Sequence, residues 1–326
     1  MIRSIAAILL FAVSASACAE GRAQTNRYKW QIVTEKADYP KGYNYPVFVI
    51  DGKMLALNNG GWISEDAKTW KKTELPDIGL NSAYQKFVQF NGAVYALGSM
   101  TGNYLNFELT SRISRTRDGE SWETVAETSN LPKRVFYGAA VFNGKIWMIG
   151  GWDGKKYHND VWNSADGAKW TQVTADSGWT PRTPAVTVVF NDKLWMMGGG
   201  VIDGEKDSNP NSYKEVWTSG DGRAWTRIET NSDRKWRGNP FVFDGKLWLA
   251  GANRGGGFES AVWVSRDGRT WDELPAPWSP RGAVAVWVFD EKLFLTGGKS
   301  SYVENGETKF VYSNDVWKME KSGLDF

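Results

Sequence analysis

The sequence predicts an all-β fold, a six-bladed β-propeller whose blades are four-stranded antiparallel sheets. Short apolar segments alternate with turn pairs throughout the chain: the segment 136–142, for example, is followed by Asn143-Gly144 and then by the apolar segment 145–149. Asn-Gly between such segments is a strong hairpin signal. The same pattern returns at intervals, beginning at Ile50, Phe90, Phe142, Phe190 and Phe243. Many short strands repeated at this period are typical of a propeller.

The tryptophans give the number of blades. The last strand of each copy carries one, at Trp70, Trp122, Trp170, Trp225 and Trp271. A second stands eight residues earlier in most copies, at Trp62, Trp162, Trp217 and Trp263, with Ser114 as the exception. Trp317 opens a sixth copy, but the chain ends before its partner, and Trp30 near the start supplies it. We therefore expect the N-terminal strand to complete the last blade and close the ring, which leaves no gap between the first and last blades.

Composition excludes several classes of function. Lys+Arg number 39 and Asp+Glu 37, so the chain lacks the positive excess of a bulk nucleic-acid binder. With one Cys and one His, it can form neither an internal disulfide nor a Cys/His metal site. We expect no cofactor and no essential metal, although calcium bound by loop oxygens, with Asp203 or Asp207, stays open.

The first residues predict export. Arg3 and the apolar run 5–13 are typical of a signal peptide, so we assign 1–17 to it, 18–27 to a polar tether and 28–326 to the propeller. Ala15-Ser16-Ala17-Cys18 resembles a bacterial lipobox, which implies that Cys18 is lipidated and becomes the mature N-terminus. Ordinary cleavage after Ala17 is the alternative. We expect a monomer, periplasmic or anchored to the outer membrane, that touches lipid only through Cys18.

Paired glycines identify a family resemblance. Gly150-Gly151, Gly198-Gly199 and Gly297-Gly298 each follow an apolar strand and precede a tryptophan, and in this they resemble Kelch repeats from about Tyr28 to Phe326. Some copies depart from the pattern, with Gly98-Ser99 and Gly251-Ala252 in place of the pair. The turns 164–170 and 265–271 resemble the Asp-box of sialidases, which is a structural turn in that family.

The propeller topology sorts the loops onto two faces. The turns within the first and last hairpins of each blade share one face, here called the lower face, and these turns are tight. The connections from second to third strands and from blade to blade share the other, the upper face, where the long segments 99–111, 200–214, 252–260 and 299–313 all fall. Blade one has almost no such loop, because 58–61 leads straight into the strand of Trp62. The upper face should therefore have a walled central mouth with one low side.

Cations and tryptophans are expected at that mouth. Arg134, Arg182 and Arg281 each stand eight residues before the Phe that ends an inner strand, with Lys235 and Arg237 near the same register in blade five. Trp179, Trp236 and Trp278 lie within three residues of one of these cations. Guanidinium groups beside aromatic rings suit an acidic sugar. Two alternatives stay open: the arginines bridge neighbouring blades, and the tryptophans form a lid over the blade tops.

Catalysis is not predicted. Copper chemistry like that of galactose-oxidase-like propellers is excluded, because Cys18 lies outside the fold and His158 is the only histidine. The resemblance to Kelch-type sialate mutarotases implies a possible sugar-acid mutarotase or epimerase that uses a mouth Arg with one loop carboxylate, chosen from Glu108, Glu205, Glu259 and Glu304. Binding of an acidic saccharide, of another carboxylate-bearing ligand or of a protein partner is the leading expectation, with no nucleic acid.

Overall fold

A computed structural model describes residues 27–321 except 76–84, 99, 104–105, 184–185, 202–212, 233–235, 237, 252 and 255–256. Cys18, the signal peptide and most of the tether lie outside the described residues, as do Arg237, Lys235 and Glu205. Within the described part of the chain, no helix is long and apolar enough to cross a membrane. The same residues contain no group of three or more His, Cys, Asp or Glu side chains that could hold a metal ion.

Thirty strands follow one another along the described chain. The first fifteen are β1 Tyr28–Thr34, β2 Val47–Ile50, β3 Lys53–Leu57, β4 Gly61–Ser64, β5 Lys71–Thr73, β6 Lys86–Phe90, β7 Ala93–Leu97, β8 Met100–Asn103, β9 Asn106–Leu109, β10 Ile113–Thr116, β11 Trp122–Ala126, β12 Gly138–Phe142, β13 Lys145–Trp152, β14 Tyr157–Ser164 and β15 Thr171–Thr174. The rest are β16 Val186–Phe190, β17 Lys193–Met197, β18 Val216–Ser219, β19 Thr226–Ile228, β20 Asn239–Phe243, β21 Lys246–Ala250, β22 Asn253–Arg254, β23 Gly257–Phe258, β24 Ala261–Ser265, β25 Asp272–Pro275, β26 Ala285–Phe289, β27 Lys292–Thr296, β28 Lys299–Glu304, β29 Glu307–Tyr312 and β30 Val316–Lys321.

These strands form six four-stranded antiparallel blades, as predicted. From the innermost strand outward, the blades are β2-β3-β4-β5, β6-β7-β10-β11, β12-β13-β14-β15, β16-β17-β18-β19, β20-β21-β24-β25 and β26-β27-β30-β1. Three further pairs, β8-β9, β22-β23 and β28-β29, are hairpins inserted between second and third strands. They lie on the upper face, whereas the second and third strands of blade one are joined by the short segment 58–60. The predicted low side of the upper face is therefore present.

The ring is closed by the N-terminal strand, also as predicted. β1 pairs antiparallel with β30, with Trp30 opposite Met319. The ring of Trp30 meets that of Trp278 edge-on at 4.6 Å, which buries the outer strand against blade five. Tyr28 packs against Trp248 at 4.9 Å, and its hydroxyl donates to Asp244, also in blade five. β1 thus completes one blade and ties it to the next.

The core lies between the blades. Second strands are apolar and almost wholly buried, because the blades pack face to face around the axis. Rings from neighbouring blades meet in these spaces: Trp70 of blade one lies 6.3 Å from Trp287 of blade six, edge-on. Trp287 is 5 % exposed and therefore belongs to this core. Such aromatic pairs add to the free energy of folding beyond the area they bury.

The Asp-box-like turns hold the lower face. In the copy of blade three, Asp166 accepts hydrogen bonds from the backbone N–H groups of Ala168 and Lys169, both at 2.8 Å. Ser164 accepts one from Gly167, whose φ of +80° favours glycine, and Trp170 donates to the carbonyl of Gly167. Equivalent aspartates stand at the same turns of blades one, two, four and five, at Asp66, Asp118, Asp221 and Asp267. The turn is thus structural here, as the resemblance implied.

Candidate functional site

The three described arginines of the predicted mouth are buried in ion pairs inside their own blades. Arg134 donates to Asp160 of the third strand, with Nη2 2.8 Å from Oδ2. Arg182 and Arg281 make the same contact with acids at the same register, Glu215 at 2.7 Å and Asp315 at 3.0 Å. Their exposed fractions are 5, 0 and 4 %, respectively. These guanidinium groups therefore join the first and third strands of one blade.

A tryptophan completes each of these pairs. The acid stands two residues before the blade's third-strand tryptophan, whose indole N–H donates to the same carboxylate: Trp162 to Asp160 at 2.8 Å and Trp317 to Asp315 at 2.7 Å, for example. Burial raises the pKa of Asp160, but the hydrogen bonds and charge of Arg134 outweigh it and hold that pKa below its usual range. Blades three, four and six thus share an Arg–acid–Trp unit, called the blade triad below.

The backbone around each arginine joins one blade to the next. The N–H of Arg182 donates to the carbonyl of His158 in blade three, and its own carbonyl accepts from Gly151 at 3.0 Å. The paired glycines permit this approach, since a Cβ on Gly150 would lie 3.0 Å from the carbonyl oxygen of Arg182. Arg182 therefore bridges neighbouring blades through its backbone, whereas its side chain bridges strands within its own blade.

The three tryptophans expected at the mouth are also buried. Trp179, Trp236 and Trp278 are 1, 0 and 2 % exposed. Each packs edge-on or tilted against an outer-strand tryptophan, at distances of 6.3 Å to Trp225, 5.0 Å to Trp271 and 4.6 Å to Trp30. The expectation that these rings and the arginines line an open mouth is therefore wrong for the six described residues. Arg237, the seventh, lies outside them.

The loop carboxylates considered for catalysis have different surroundings. Glu108 and Glu304 are exposed on the upper hairpins. Glu259 accepts a hydrogen bond from the indole of Trp263 at 3.4 Å. His158 is half-buried beside Asp153, with Nε2 2.7 Å from Oδ2. Burial opposes ionisation of Asp153, but two backbone N–H donors and His158 lower its pKa to about 2.

A different set of residues combines a cation with exposed aromatic rings. The Nζ of Lys299 lies 4.8 Å from the centre of the Tyr43 ring and 5.2 Å from that of Phe310. Tyr43 stacks on Tyr312, with centroids 5.4 Å apart and 21° between the planes. The three aromatic residues are 42, 45 and 37 % exposed, in the order Tyr43, Phe310, Tyr312. We call these four residues the aromatic platform.

The platform lies where blade six meets blade one. Phe310 and Tyr312 alternate on β29, and their partners across the hairpin, Ser301 and Lys299, share their face. Tyr43 belongs to the connection that enters blade one, directly beside the low side of the upper face. The alternation of aromatic residues along 307–312 is the sequence signal for this surface, which the spacing of the arginines and tryptophans does not reveal.

Comparisons with known proteins support the architecture. A family model described as "Kelch motif" matches residues 133–163, the segment that holds Arg134, the glycine pair, Asp160 and Trp162. No curated protein sequence matches the chain. Among solved structures it is similar to YjhT ("Structure of YjhT"), with a TM-score of 0.64 and 14 % identity over 86 % of this chain and 99 % of that one. The chain carries a Kelch motif and is a six-bladed β-propeller with four-stranded blades.

Proposed function

We propose that the upper face binds a carboxylate-bearing saccharide at the aromatic platform. One observation carries the proposal: among the described residues, Lys299 forms no ion pair, although it is held against the exposed rings of Tyr43 and Phe310. By contrast, Arg134, Arg182 and Arg281 each form an ion pair with an acid. A free ammonium beside accessible ring faces is the combination that the buried arginines and tryptophans were expected to supply.

The chemistry of the platform suits a sugar acid. Aromatic faces offer apolar surface to the C–H side of a sugar ring, while tyrosine hydroxyls can exchange hydrogen bonds with its hydroxyl groups. The ammonium of Lys299 has three donors and can turn them from the ring faces to a carboxylate. A charge-assisted contact of this kind is stronger than one between neutral groups. Neutral sugars should therefore bind more weakly than their acids.

The base of the platform is held in place by the propeller. Gly282 and Lys299 exchange two backbone hydrogen bonds of 2.9 Å, and Gly42 donates to the carbonyl of Ser313 at 3.2 Å. These bonds fix the first residue of β28 and the residue after β29, where the platform side chains are attached. A site on a fixed base loses little conformational entropy on binding. This favours a preformed binding surface.

Isothermal titration calorimetry with glucuronate, galacturonate and N-acetylneuraminate, and with neutral glucose and galactose, tests the proposal. The acids should bind, and Lys299→Ala should weaken them about fivefold to tenfold, since charge-assisted hydrogen bonds contribute about 1–1.5 kcal/mol at a half-exposed site. Lys309→Ala is the matched control, because Lys309 lies on the same hairpin and pairs with Glu307 at 2.6 Å. Equal affinities for acid and neutral sugars, or equal losses in both variants, would refute the proposal.

A second measurement on the same protein distinguishes binding from catalysis. Proton NMR of anomer exchange, with each sugar acid that binds, should show no acceleration over buffer. The mutarotase alternative needs a loop carboxylate with a mouth arginine, and Arg134, Arg182 and Arg281 are all taken up in blade triads. Accelerated exchange that is lost in a Glu108 or Glu304 variant would favour it. A protein partner captured equally by wild type and Lys299→Ala would instead favour a protein-interaction surface.

The proposal includes export with acylation of Cys18. Mass spectrometry of the mature N-terminus should find a lipid-modified cysteine as the first residue. An unmodified peptide that begins at Cys18 or later leaves secretion possible and removes the anchor.

A further inference from the structure

The chain enters the propeller on its lower face. β30 and β1 are the third and fourth strands of blade six, and Lys321 at the end of one lies opposite Tyr28 at the start of the other. In the other blades these two strands are joined by a lower-face turn, so Tyr28 starts on that face. Residues 18–26 precede Arg27, and nine extended residues span about 30 Å. An acyl group on Cys18 would therefore keep this part of the lower face close to a membrane.

Three cations surround one carboxylate where the chain enters. Lys321 forms an ion pair with Asp244, the Nζ of Lys246 lies 3.6 Å from Oδ2 of that acid, and Nη2 of Arg27 lies 4.0 Å from it. Lys246 also donates a hydrogen bond to the hydroxyl of Tyr28, which donates in turn to Asp244. Because the three cations share this one acid, it compensates only part of their charge.

Two arginines of blade five add to this positive charge. Arg266 and Arg269 are exposed in the Asp-box-like turn, where Asp267 accepts hydrogen bonds from two backbone N–H groups. Burial lowers the pKa of the Lys246 ammonium, and the charges of Arg27 and Arg266 lower it further, although the neighbouring carboxylate raises it. The cations thus act on one another across the boundary between blades five and six. We call the following five residues the cationic corner: Arg27, Lys246, Arg266, Arg269 and Lys321.

The equivalent turns of blade one lack this excess of positive charge. The two lower-face turns of blade five contain three cations and two acids, namely Lys246, Arg266 and Arg269 with Asp244 and Asp267. Those of blade one contain two cations and three acids, namely Lys53 and Lys68 with Asp51, Glu65 and Asp66. Arg27 and Lys321 add two further cations beside blade five. The lower face is therefore most positive where the chain enters it.

We propose that the cationic corner docks on an anionic phospholipid surface. The inference rests on the proposed export with acylation of Cys18, which would bring the corner to a membrane. Guanidinium and ammonium groups donate charge-assisted hydrogen bonds to phosphate oxygens, and each cation near an anionic membrane strengthens binding. The side chains of Arg27 and Lys321 are 49 and 52 % exposed, so both have solvent access on this face. The upper face, with the aromatic platform, then points away from the membrane towards soluble ligands.

Cosedimentation with vesicles tests the corner without the acyl chain. The exported protein that carries Cys18→Ala cannot be acylated at this position, so its binding to vesicles reports the fold. It should bind vesicles of equal parts phosphatidylglycerol and phosphatidylcholine and should not bind phosphatidylcholine alone. Binding should fall as salt is raised, because salt screens exposed charges. No binding to the anionic vesicles, or equal binding to both kinds, would overturn the inference.

Matched removals of charge locate the surface. Arg27→Gln combined with Lys321→Gln should weaken vesicle binding about 25-fold, since each cation near the membrane contributes about fivefold. Lys53→Gln combined with Lys68→Gln removes the same charge from the same face in blade one, and should leave binding nearly unchanged. Arg269→Gln is a single change of an exposed side chain, and should weaken binding about fivefold even if the first double variant is unstable. Equal losses in the two double variants would contradict docking through the corner.

Two further outcomes separate the docking from its premise and from a soluble ligand. Glycerol phosphate, a headgroup without its lipid, should not bind in titration calorimetry, and saturable binding at the corner would replace the lipid surface with a soluble phosphate ester. If Cys18 is unmodified in the exported protein while the corner still binds anionic vesicles, only the acylation is wrong. If Cys18 is acylated and the Cys18→Ala protein ignores anionic vesicles, the acylation stands and the docking is wrong.

Discussion

Arg182 and Lys299 each hold a cation against an aromatic ring, and yet the two side chains have different surroundings. The guanidinium of Arg182 lies 3.7 Å from the centre of the Tyr213 ring, and the ammonium of Lys299 lies 4.8 Å from that of Tyr43. Arg182 is wholly buried and bound to Glu215, whereas Lys299 is partly exposed and has no acid among the described residues. A cation on an aromatic ring therefore indicates a site only where its charge remains uncompensated and accessible.

Deletion of most of β1 should have the largest effect on the stability of the propeller. Deletion of residues 28–33 removes the outer strand of blade six and the contacts of Tyr28 and Trp30 with blade five. The final sheet then has an open edge, and cooperative unfolding should be lost. Thermal unfolding followed by circular dichroism measures this. A truncated protein that unfolds in one sharp transition at the wild-type temperature would show that the framework does not depend on this closure.

The next largest effect is a difference in unfolding free energy between alanine variants of Arg182 and Lys299. Arg182→Ala removes a wholly buried guanidinium and leaves the carboxylate of Glu215, which is 26 % exposed, without its partner, so the loss of unfolding free energy should be about 3 kcal/mol, the lower end of the range for breaking a buried pair. Lys299→Ala removes a partly exposed side chain from a surface hairpin and should change that free energy by less than about 0.5 kcal/mol. Urea denaturation of both variants measures the difference. Equal losses would mean that Lys299 also belongs to the framework.

The carboxylates of the framework predict a dependence of stability on pH. The five Asp-box aspartates all have lowered pKa values, because backbone N–H donors outweigh the effect of burial. A carboxyl whose pKa is lower in the folded than in the unfolded chain contributes stability above the unfolded pKa, about 4, and loses it as pH falls through the folded value. The midpoint of thermal unfolding should therefore be flat from pH 7 to 5 and fall below about pH 4.

A replacement in one turn tests this assignment. Asp166→Asn should flatten part of the fall below pH 4, because the amide cannot take up a proton there. Glu304→Gln, on an exposed hairpin residue, is the control and should leave the curve unchanged. Identical acid curves for wild type and Asp166→Asn would contradict a stabilising role for the ionised turn.

The smallest effect belongs to the platform. Tyr312→Ala should weaken a sugar acid a few-fold and leave the midpoint of thermal unfolding within about 1 °C, because Tyr312 is exposed and packs mainly on Tyr43. Trp236→Ala gives the contrast, since the loss of a buried indole costs about 3–5 kcal/mol. A large loss of stability in Tyr312→Ala would show that Tyr312, like the buried Trp236, contributes to the stability of the fold.

The fold could be predicted because its determinants are local and repeated. Asn143-Gly144, the glycine pairs and the spaced tryptophans each specify a turn or a strand position, and six copies confirm one another. Even the closure by Trp30 followed from the count of tryptophans. The site could not be predicted in this way, because exposure depends on how neighbouring blades pack, and sequence spacing alone does not show whether Arg182 reaches solvent or Glu215.

One feature of the sequence could have distinguished the buried, paired arginines from the exposed Lys299. In blades three, four and six, an arginine stands shortly before the innermost strand. In the same blades an acid stands two residues before the third-strand tryptophan: Asp160, Glu215 and Asp315. Blade five, whose third-strand tryptophan is Trp263, has Ala261 at that position. The occurrence of this acid in the blades that have the arginine predicts that the two residues form an ion pair within each of these blades. Lys299, by contrast, directly follows a glycine pair at the start of an inserted hairpin, where no such acid recurs.

The most direct test follows the lysines themselves. After reductive methylation with ¹³C-formaldehyde, which keeps the charge of each lysine, NMR resolves the dimethylammonium signals, and Lys299→Ala and Lys309→Ala assign two of them. Addition of glucuronate should move the Lys299 signal along a saturating curve and leave the Lys309 signal in place. An unmoved Lys299 signal, at concentrations where calorimetry shows that glucuronate binds, would contradict the assignment of the aromatic platform as the binding site.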